Sequence, residues 1–125
     1  MERAQLEALA RLNADYREAL FRRTVRERQG LYILASEPEG PLMLDAADEG
    51  GESYPPELLV WSHSELAELF AGSSGAIGAV PRFVTAGAWN EHWVGRLRAE
   101  GVELALNPVA QSECSIIDPC EIDPE

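Results

Sequence analysis

The chain has 125 residues and is 46% hydrophobic, which fits one globular domain and is too apolar for a disordered chain. Its net charge is −12, with 22 acidic residues, ten arginines and no lysine. An acidic surface repels phosphate backbones, so nucleic acid is disfavoured as a partner. No apolar run approaches the ~20 residues of a membrane span and no signal sequence is evident, so we expect a cytoplasmic protein without a membrane partner.

The amino-terminal segment, residues 2–28, has a helical pattern. One apolar stripe is predicted from residues that recur at helical spacing: Leu9, Leu12, Tyr16 and Leu20. Phe21 and Val25 lie off this stripe, so we expect the helix to bend or break, and Asn13 is a candidate second N-cap. Gly30 is predicted to end the helix in the left-handed conformation.

Short strands are predicted next. Residues 31–35 and 42–45 are rich in strand formers and are joined by a turn, which indicates a hairpin. Residues 46–56 are acidic, contain Gly and end in two prolines, so they are predicted to form an exposed loop. Residues 58–61 are predicted to be a further strand.

A second helix is predicted to open after that strand, because Ser62 and Glu65 have the spacing of a capping box. A glycine-rich connection at 72–75 ends this helix. Residues 76–80 are predicted to form another strand, which Pro81 would stop.

The third predicted helix covers residues 86–100, with Trp89, Trp93 (or Val94) and Leu97 on its core face. A half-buried strand at 102–106 follows. The predicted domain spans residues 1–108, and residues 109–125 are predicted to be an acidic, loosely packed tail. The order α-β-β-β-α-β-α-β indicates a single α+β domain with a mixed or antiparallel sheet and helices packed mainly on one face.

Two short motifs resemble those of a known family. Residues 60–67 read Val-Trp-x-His-x-Glu-x-Ala, and residues 93–102 read Trp-x-x-x-Leu-x-x-x-Gly-Val. With residues 16–21 and 31–34 they resemble the bacterial domain-of-unknown-function family DUF2750, over roughly residues 14–108. Ser62 stands where the family pattern has a proline. The resemblance implies the α+β fold and carries no activity, substrate or catalytic residue.

The turn from Trp61 to Glu65 is the first candidate binding site. His63 lies between Ser62 and the predicted helix, and a turn at the carboxyl end of a strand is a common place for ligands. A Ser-His neighbour pair does not define a catalytic dyad, because that requires three-dimensional geometry. A capped helix start with a surface or half-buried histidine is the alternative interpretation.

A second candidate patch combines Trp89 and His92 on the third helix. Aromatic residues are enriched at interface hot spots, so these side chains could bind a partner, although packing against the core is the alternative. We predict no cofactor and no metal site, because Cys114, Cys120 and the two histidines lack the spacing of a zinc site. Two free thiols are predicted in the tail, with a small redox-sensitive loop as the alternative.

The charge is unevenly distributed along the chain. Residues 1–29 contain seven arginines and five acids, a sum of +2, whereas residues 30–125 contain three arginines and seventeen acids, a sum of −14. This excess favours encounter with a basic protein. The leading hypothesis is a non-catalytic protein-binding module of the immunity or inhibitor type. The alternative is a small enzyme or small-molecule binder at the Trp61–Glu65 turn, and the oligomeric state is left open.

Overall fold

The computed structural model describes residues 2–36, 40–44, 47–49, 52–74, 78–109 and 114–121. The helical segments of these residues are α1 (Arg3–Ala10), α2 (Ala14–Arg28), α3 (Ser64–Ser74), α4 (Ala86–Ala88), a π-helical turn (Trp89–Trp93), α5 (Val94–Ala99) and a 3-10 turn (Pro119–Glu121). The strands are β1 (Gly30–Ser36), β2 (Gly40–Pro41), β3 (Met43–Leu44), β4 (Ala47–Glu49), β5 (Glu52–Tyr54), β6 (Glu57–Val60), β7 (Val80–Thr85), β8 (Glu103–Leu106) and β9 (Ser115–Ile117). These elements confirm the predicted α+β class.

The described strands form two sheets and one separate hairpin. The first sheet has the order β2-β1-β7 and is antiparallel throughout. The second has the order β3-β6-β8-β9 and is mixed, because only its β6–β8 pair is parallel. Two 2.8 Å hydrogen bonds between the backbones of Tyr32 and Trp61 join the two sheets.

The predicted hairpin between residues 31–35 and 42–45 is wrong. β1 pairs with β2, which lies in the predicted turn, and β3 pairs with β6 instead of returning along β1. The predicted exposed loop at 46–56 contains a short antiparallel hairpin, β4–β5. The turn at residues 37–39 lies outside the described residues.

The helices cover both faces of the sheets, whereas the sequence predicts them mainly on one face. One core cluster includes Leu58 and Leu104 and is covered by α2 and by the helix of residues 86–99. The other includes Leu59 and Ala105 and is covered by α3, with α1 packed at its border. Successive residues of β6 and β8 are apolar, so both sides of these strands are buried.

The first helical segment breaks at the predicted N-cap. The side-chain oxygen of Asn13 accepts a hydrogen bond of 3.0 Å from the backbone N–H of Tyr16, and α2 begins at the next residue after Asn13. The break changes the helical phase, so the predicted stripe is wrong for α2. Tyr16 is 64% exposed, and the buried residues of α2 are Arg17, Phe21, Thr24 and Val25.

The left-handed residue at the end of α2 is Gln29 (φ 56°), and Gly30 is the first residue of β1. Gly30 is required for a different reason. A Cβ atom there would lie 2.3 Å from the ring of Phe83 and 2.6 Å from the carbonyl oxygen of Val84. β1 and β7 therefore lie so close together at residue 30 that only glycine fits there.

The strand predicted at 76–80 is displaced, since β7 spans Val80–Thr85 and contains Pro81. Among the described strands β7 pairs with β1 alone, so it is an edge strand. An edge strand tolerates proline because one side of its backbone needs no hydrogen-bond donor. Residues 75–77 lie outside the described residues.

Part of the predicted loose tail is packed on the sheet. Ser115–Ile117 forms β9, which pairs antiparallel with β8. The side chains of Val109 and Ile117 are buried. β8 thus gains a paired neighbour from the segment that its acidic composition predicts to be loosely packed.

We expect Gly30→Ala to lower the free energy of unfolding by about 1–3 kcal/mol, because the added methyl group overpacks the contact with β7. Urea denaturation measures the change. Gly95→Ala in α5 is the matched control, since its Cβ would meet nothing within 4 Å, and it is expected to stabilise by about 0.5–1 kcal/mol. Equal effects of the two substitutions would contradict the close approach.

Candidate functional site

The parallel strands β6 and β8 end at the same edge of the mixed sheet. Trp61, Ser62 and His63 directly follow β6, and Asn107 directly follows β8. The backbone N–H of Asn107 donates a 2.9 Å hydrogen bond to the carbonyl of Val60. Ligands of α/β sheets commonly bind at this end of parallel strands, so the predicted Trp61–Glu65 turn lies at a place suited to a site.

The side-chain amide of Asn107 connects three segments at this edge. Its oxygen accepts a hydrogen bond of 2.8 Å from the N–H of Ser62. Its nitrogen donates to the carbonyl of Arg17 at 3.2 Å and to the hydroxyl of Ser62 at 3.0 Å. Asn107 is fully buried and has φ 47°, a left-handed conformation that Asn adopts more readily than most residues.

Arg17 of α2 completes these connections from the other side. Its guanidinium donates to the carbonyls of Asn107 (2.9 Å) and Leu12 (3.0 Å). Burial lowers the pKa of Arg17, whose residue surface is only 1% exposed. We call Arg17, Ser62, His63 and Asn107 the Asn107 network.

Ser62 and His63 are enclosed in the network. The Ser62 hydroxyl lies 2.8 Å from Nδ1 of His63, and the two residues are 1% and 8% exposed. The predicted capping box with Glu65 is wrong, because the Ser62 hydroxyl bonds within the network and α3 begins only at Ser64. The Ser62 hydroxyl is therefore shielded from any substrate in solution.

Two titratable side chains at the turn have shifted pKa values. Burial lowers the pKa of His63, and the positive charge of Arg28 lowers it further, while Glu65 acts in the opposite direction. A backbone hydrogen bond at the start of α3 lowers the pKa of Glu65. The folded protein therefore favours a neutral His63 and an ionised Glu65.

Trp61 has a structural position. It is fully buried, and its indole N–H donates a 3.0 Å hydrogen bond to the carbonyl of Pro108. Its ring packs against Phe70 of α3, with 5.5 Å between the centroids. Trp61 therefore holds α3 and the end of β8 against the same sheet edge.

Trp89 lies in the core cluster on the opposite face from Trp61, within a π-helical turn. The N–H of Val94 bonds to the carbonyl of Trp89, five residues earlier. Trp89 is fully buried and stacks on Trp93, with 5.9 Å between the centroids. Within the described part of the chain, its indole N–H is buried without a hydrogen-bond partner. π-Helical turns and unsatisfied polar groups both occur often at functional segments.

His92 lies on the same turn and borders an open cavity of about 520 Å³. The histidine side chain is 73% exposed. The cavity separates β2, β3 and β6 from the helix of residues 86–99, and we call it the His92 groove. Its lining residues are Pro41, Met43, Leu58, His92, Trp93, Arg96, Leu97 and Glu100.

Metal and membrane sites receive no support from the described residues. They contain no group of three or more His, Cys, Asp or Glu side chains placed to hold a metal ion. No helix among them is long and apolar enough to cross a bilayer. A second cavity, of about 470 Å³, lies between the end of α2 and the start of α4 and is lined by Arg28, Gln29, Phe83, Thr85, Ala86 and Gly87.

The six predicted site residues divide into two groups. Trp61, Ser62, His63 and Glu65 lie together at the β6–α3 turn, whereas Trp89 and His92 belong to the other face of the sheet. The residues that the prediction omits are Arg17 and Asn107. Arg17 precedes Phe21 by four residues, so the two side chains lie on one face of α2. This spacing was the sequence pattern that could have identified Arg17 as a buried residue.

Together these features define a single α+β domain with a closed polar network at one sheet edge and an open, largely apolar groove elsewhere. The chain belongs to the family described as "Protein of unknown function (DUF2750)", whose model matches residues 18–125. This match confirms the resemblance, and it includes every network residue except Arg17. No curated protein and no solved structure gives a significant match to the chain.

Asn107→Ala is expected to lower the free energy of unfolding by about 2–4 kcal/mol. It removes the amide hydrogen bonds to the N–H of Ser62 and the carbonyl of Arg17 and places alanine at positive φ. Asn107→Gly relieves only the backbone strain, so its loss should be smaller. Chemical denaturation compares both with Asn90→Ala, an exposed control. Similar losses for all three variants would contradict the role of the amide.

The lowered pKa of His63 predicts a pH dependence of stability. Below its unfolded pKa of about 6.5, the unfolded chain binds a proton that the folded chain resists, so stability is complete above that pH and falls as the pH decreases toward the folded pKa. His63→Gln should reduce the fall of unfolding free energy as the pH decreases below about 6.5. Asn90→Ala, at an exposed position that does not titrate, is the control and should keep the wild-type slope. An unchanged slope in His63→Gln would contradict the burial of a neutral histidine.

Proposed function

We propose that this protein is a non-catalytic protein-binding module whose partner carries a basic surface, as immunity-type and inhibitor-type proteins do. The observation that carries the proposal is the charge of −14 over residues 30–125, compared with +2 over residues 1–29. Charge of one sign on one part of a protein accelerates and selects encounter with an opposite surface. The proposed compartment is the cytoplasm, where thiols such as that of Cys114 stay reduced.

The geometry of the β6–α3 turn supports binding rather than catalysis. A nucleophilic serine must reach the substrate, whereas the Ser62 hydroxyl is buried and bonded to His63 and Asn107. The hydroxyl of Ser62 contacts Nδ1 of His63, which is the next residue in the chain. The turn therefore supplies a rigid support, and the exposed acidic parts of the molecule are available for a partner.

One cluster of acidic charge lies at residues 37–52 of the sequence. This stretch contains six acids and no base: Glu37, Glu39, Asp45, Asp48, Glu49 and Glu52. The same stretch contributes Pro41 and Met43 to the His92 groove. Acidic charge and exposed apolar surface thus occur on the same part of the chain, which suits a partner that combines basic and apolar side chains.

Capture of a partner from the native cell extract tests the proposal. Binding should weaken at least tenfold between about 0.1 M and about 1 M salt, because the Debye length falls from about 10 Å to about 3 Å. A variant with four neutralised acids (Asp45→Asn, Asp48→Asn, Glu49→Gln and Glu52→Gln) should lose most of the binding. Surface plasmon resonance with the captured protein measures the salt dependence of binding and the affinity of the neutralised variant.

The matched control neutralises four acids within residues 1–29, by Glu2→Gln, Glu7→Gln, Asp15→Asn and Glu27→Gln. It changes the net charge equally and should keep most of the affinity. Recovery of no partner, together with salt-insensitive binding to candidate basic proteins, would refute the proposal. Equal losses in the two neutralised variants would assign the effect to net charge alone and would contradict a role for residues 37–52.

A further inference from the structure

We propose that the His92 groove is the docking site for a basic amphipathic helix of the partner. This inference rests on the proposed function and adds the surface and the kind of element that would bind there. Half-buried Met43 and Trp93 line the groove above buried Leu58 and Leu97. Tryptophan is a frequent anchor at interfaces, and methionine adapts its shape to different apolar partners.

The shape of the groove suits a helix. His92, Arg96 and Glu100 line it at intervals of four residues along one wall. Eight residues of a helix rise about 12 Å, which corresponds to slightly more than two turns of a bound helix. Apolar side chains at i and i+4 of such a helix could contact Met43 and Trp93 together.

Charge complementarity selects a basic occupant. The helical wall contributes little net charge, because Arg96 lies 3.4 Å from Glu100. The opposite wall contains the apolar residues Pro41 and Met43, and residues 30–125 as a whole sum to −14. A helix with leucines on one side and arginines beside them would therefore match the apolar floor of the groove and the net charge of the chain.

Two further observations assign a binding role to this helical wall. The π-helical turn at Trp89–Trp93 interrupts the α-helix where Trp93 and His92 enter the groove. Within the described residues, Trp89 beneath Trp93 has a buried indole N–H without a partner. Both features cost stability, and such costs are retained most often where a segment binds or moves.

A defined probe tests the docking site in the full chain. The probe is a fluorescein-labelled peptide of about 14 residues, long enough to form a helix, with leucines on one face and arginines on the other. Its counterpart replaces every arginine with glutamate. Fluorescence polarisation should show saturable binding of the basic peptide below about 1 mM and at least tenfold weaker binding of the acidic one.

Variants of the groove should change this affinity in opposite directions. Trp93→Ala should weaken binding about tenfold or more, whereas Tyr16→Ala removes an exposed aromatic residue outside the groove and should not. Arg96→Glu adds negative charge at an exposed position of the rim and should strengthen binding about threefold or more. Arg82→Glu makes the same change on β7 and should have a smaller effect.

An NMR titration of the wild-type chain keeps the test independent of folding defects in Trp93→Ala. Shifts should concentrate at Met43, Leu58, Trp93 and Leu97, including the indole of Trp93. No saturable binding, equal affinity of the two peptides, or shifts confined to other surfaces would overturn the inference. Sedimentation that shows a dimer closed through the groove would also overturn it, because a second copy would then be the occupant.

The two proposals fail in different ways. If the natural partner binds with the predicted salt dependence but Trp93→Ala and Arg96→Glu do not change its affinity, the groove inference is wrong and the proposed function stands. If the partner's affinity changes neither with salt concentration nor in the variant with four neutralised acids, the proposed function is wrong, whether or not the peptide binds.

Discussion

The side-chain amide of Asn107 is the interaction on which the arrangement of this domain depends. It bonds to Ser62, 45 residues away, and to Arg17, 90 residues away, so a single planar group connects α2 with the ends of β6 and β8. Arg17 returns the connection by donating to the Asn107 carbonyl. Because all of these groups are buried, loss of the Asn107 amide removes the hydrogen bonds that connect the three segments, so the members of the network depend on one another.

The two ends of the parallel β6–β8 pair have opposite electrostatic character. At the carboxyl ends the polar groups satisfy one another. At the amino ends Glu57 faces Glu103 in the register, and burial together with this neighbour raises the pKa of Glu57. Like charges opposite each other destabilise a sheet. The hydrogen-bonded end of the strand pair is therefore the end that adjoins α3 and α2, opposite its acidic end.

Local patterns predict local structure well in this chain, and long-range partners poorly. The N-cap at Asn13 and the core positions of Trp89 and Leu97 follow from side-chain chemistry and helical spacing, and all three are observed. The buried face of α2 does not follow, since the break at Asn13 changes the helical phase. Asn107 reads as a strand stop before proline, and its amide partners lie 45 and 90 residues away, beyond any periodicity. The groove likewise combines residues from β2 to α5, which only the folded topology brings together.

The closed network and the open groove have complementary consequences for function. The sheet edge where ligands of α/β proteins usually bind is filled here by Trp61, Ser62 and Asn107, all buried. Exposed apolar surface is instead left beside the π-helical turn, where Trp93 stacks on Trp89 and the indole N–H of Trp89 lacks a partner among the described residues. Residues held on a well-packed frame bind at lower entropic cost than residues on a mobile segment. For the proposed function, the groove is therefore a better candidate surface than the turn that the Ser-His motif singles out.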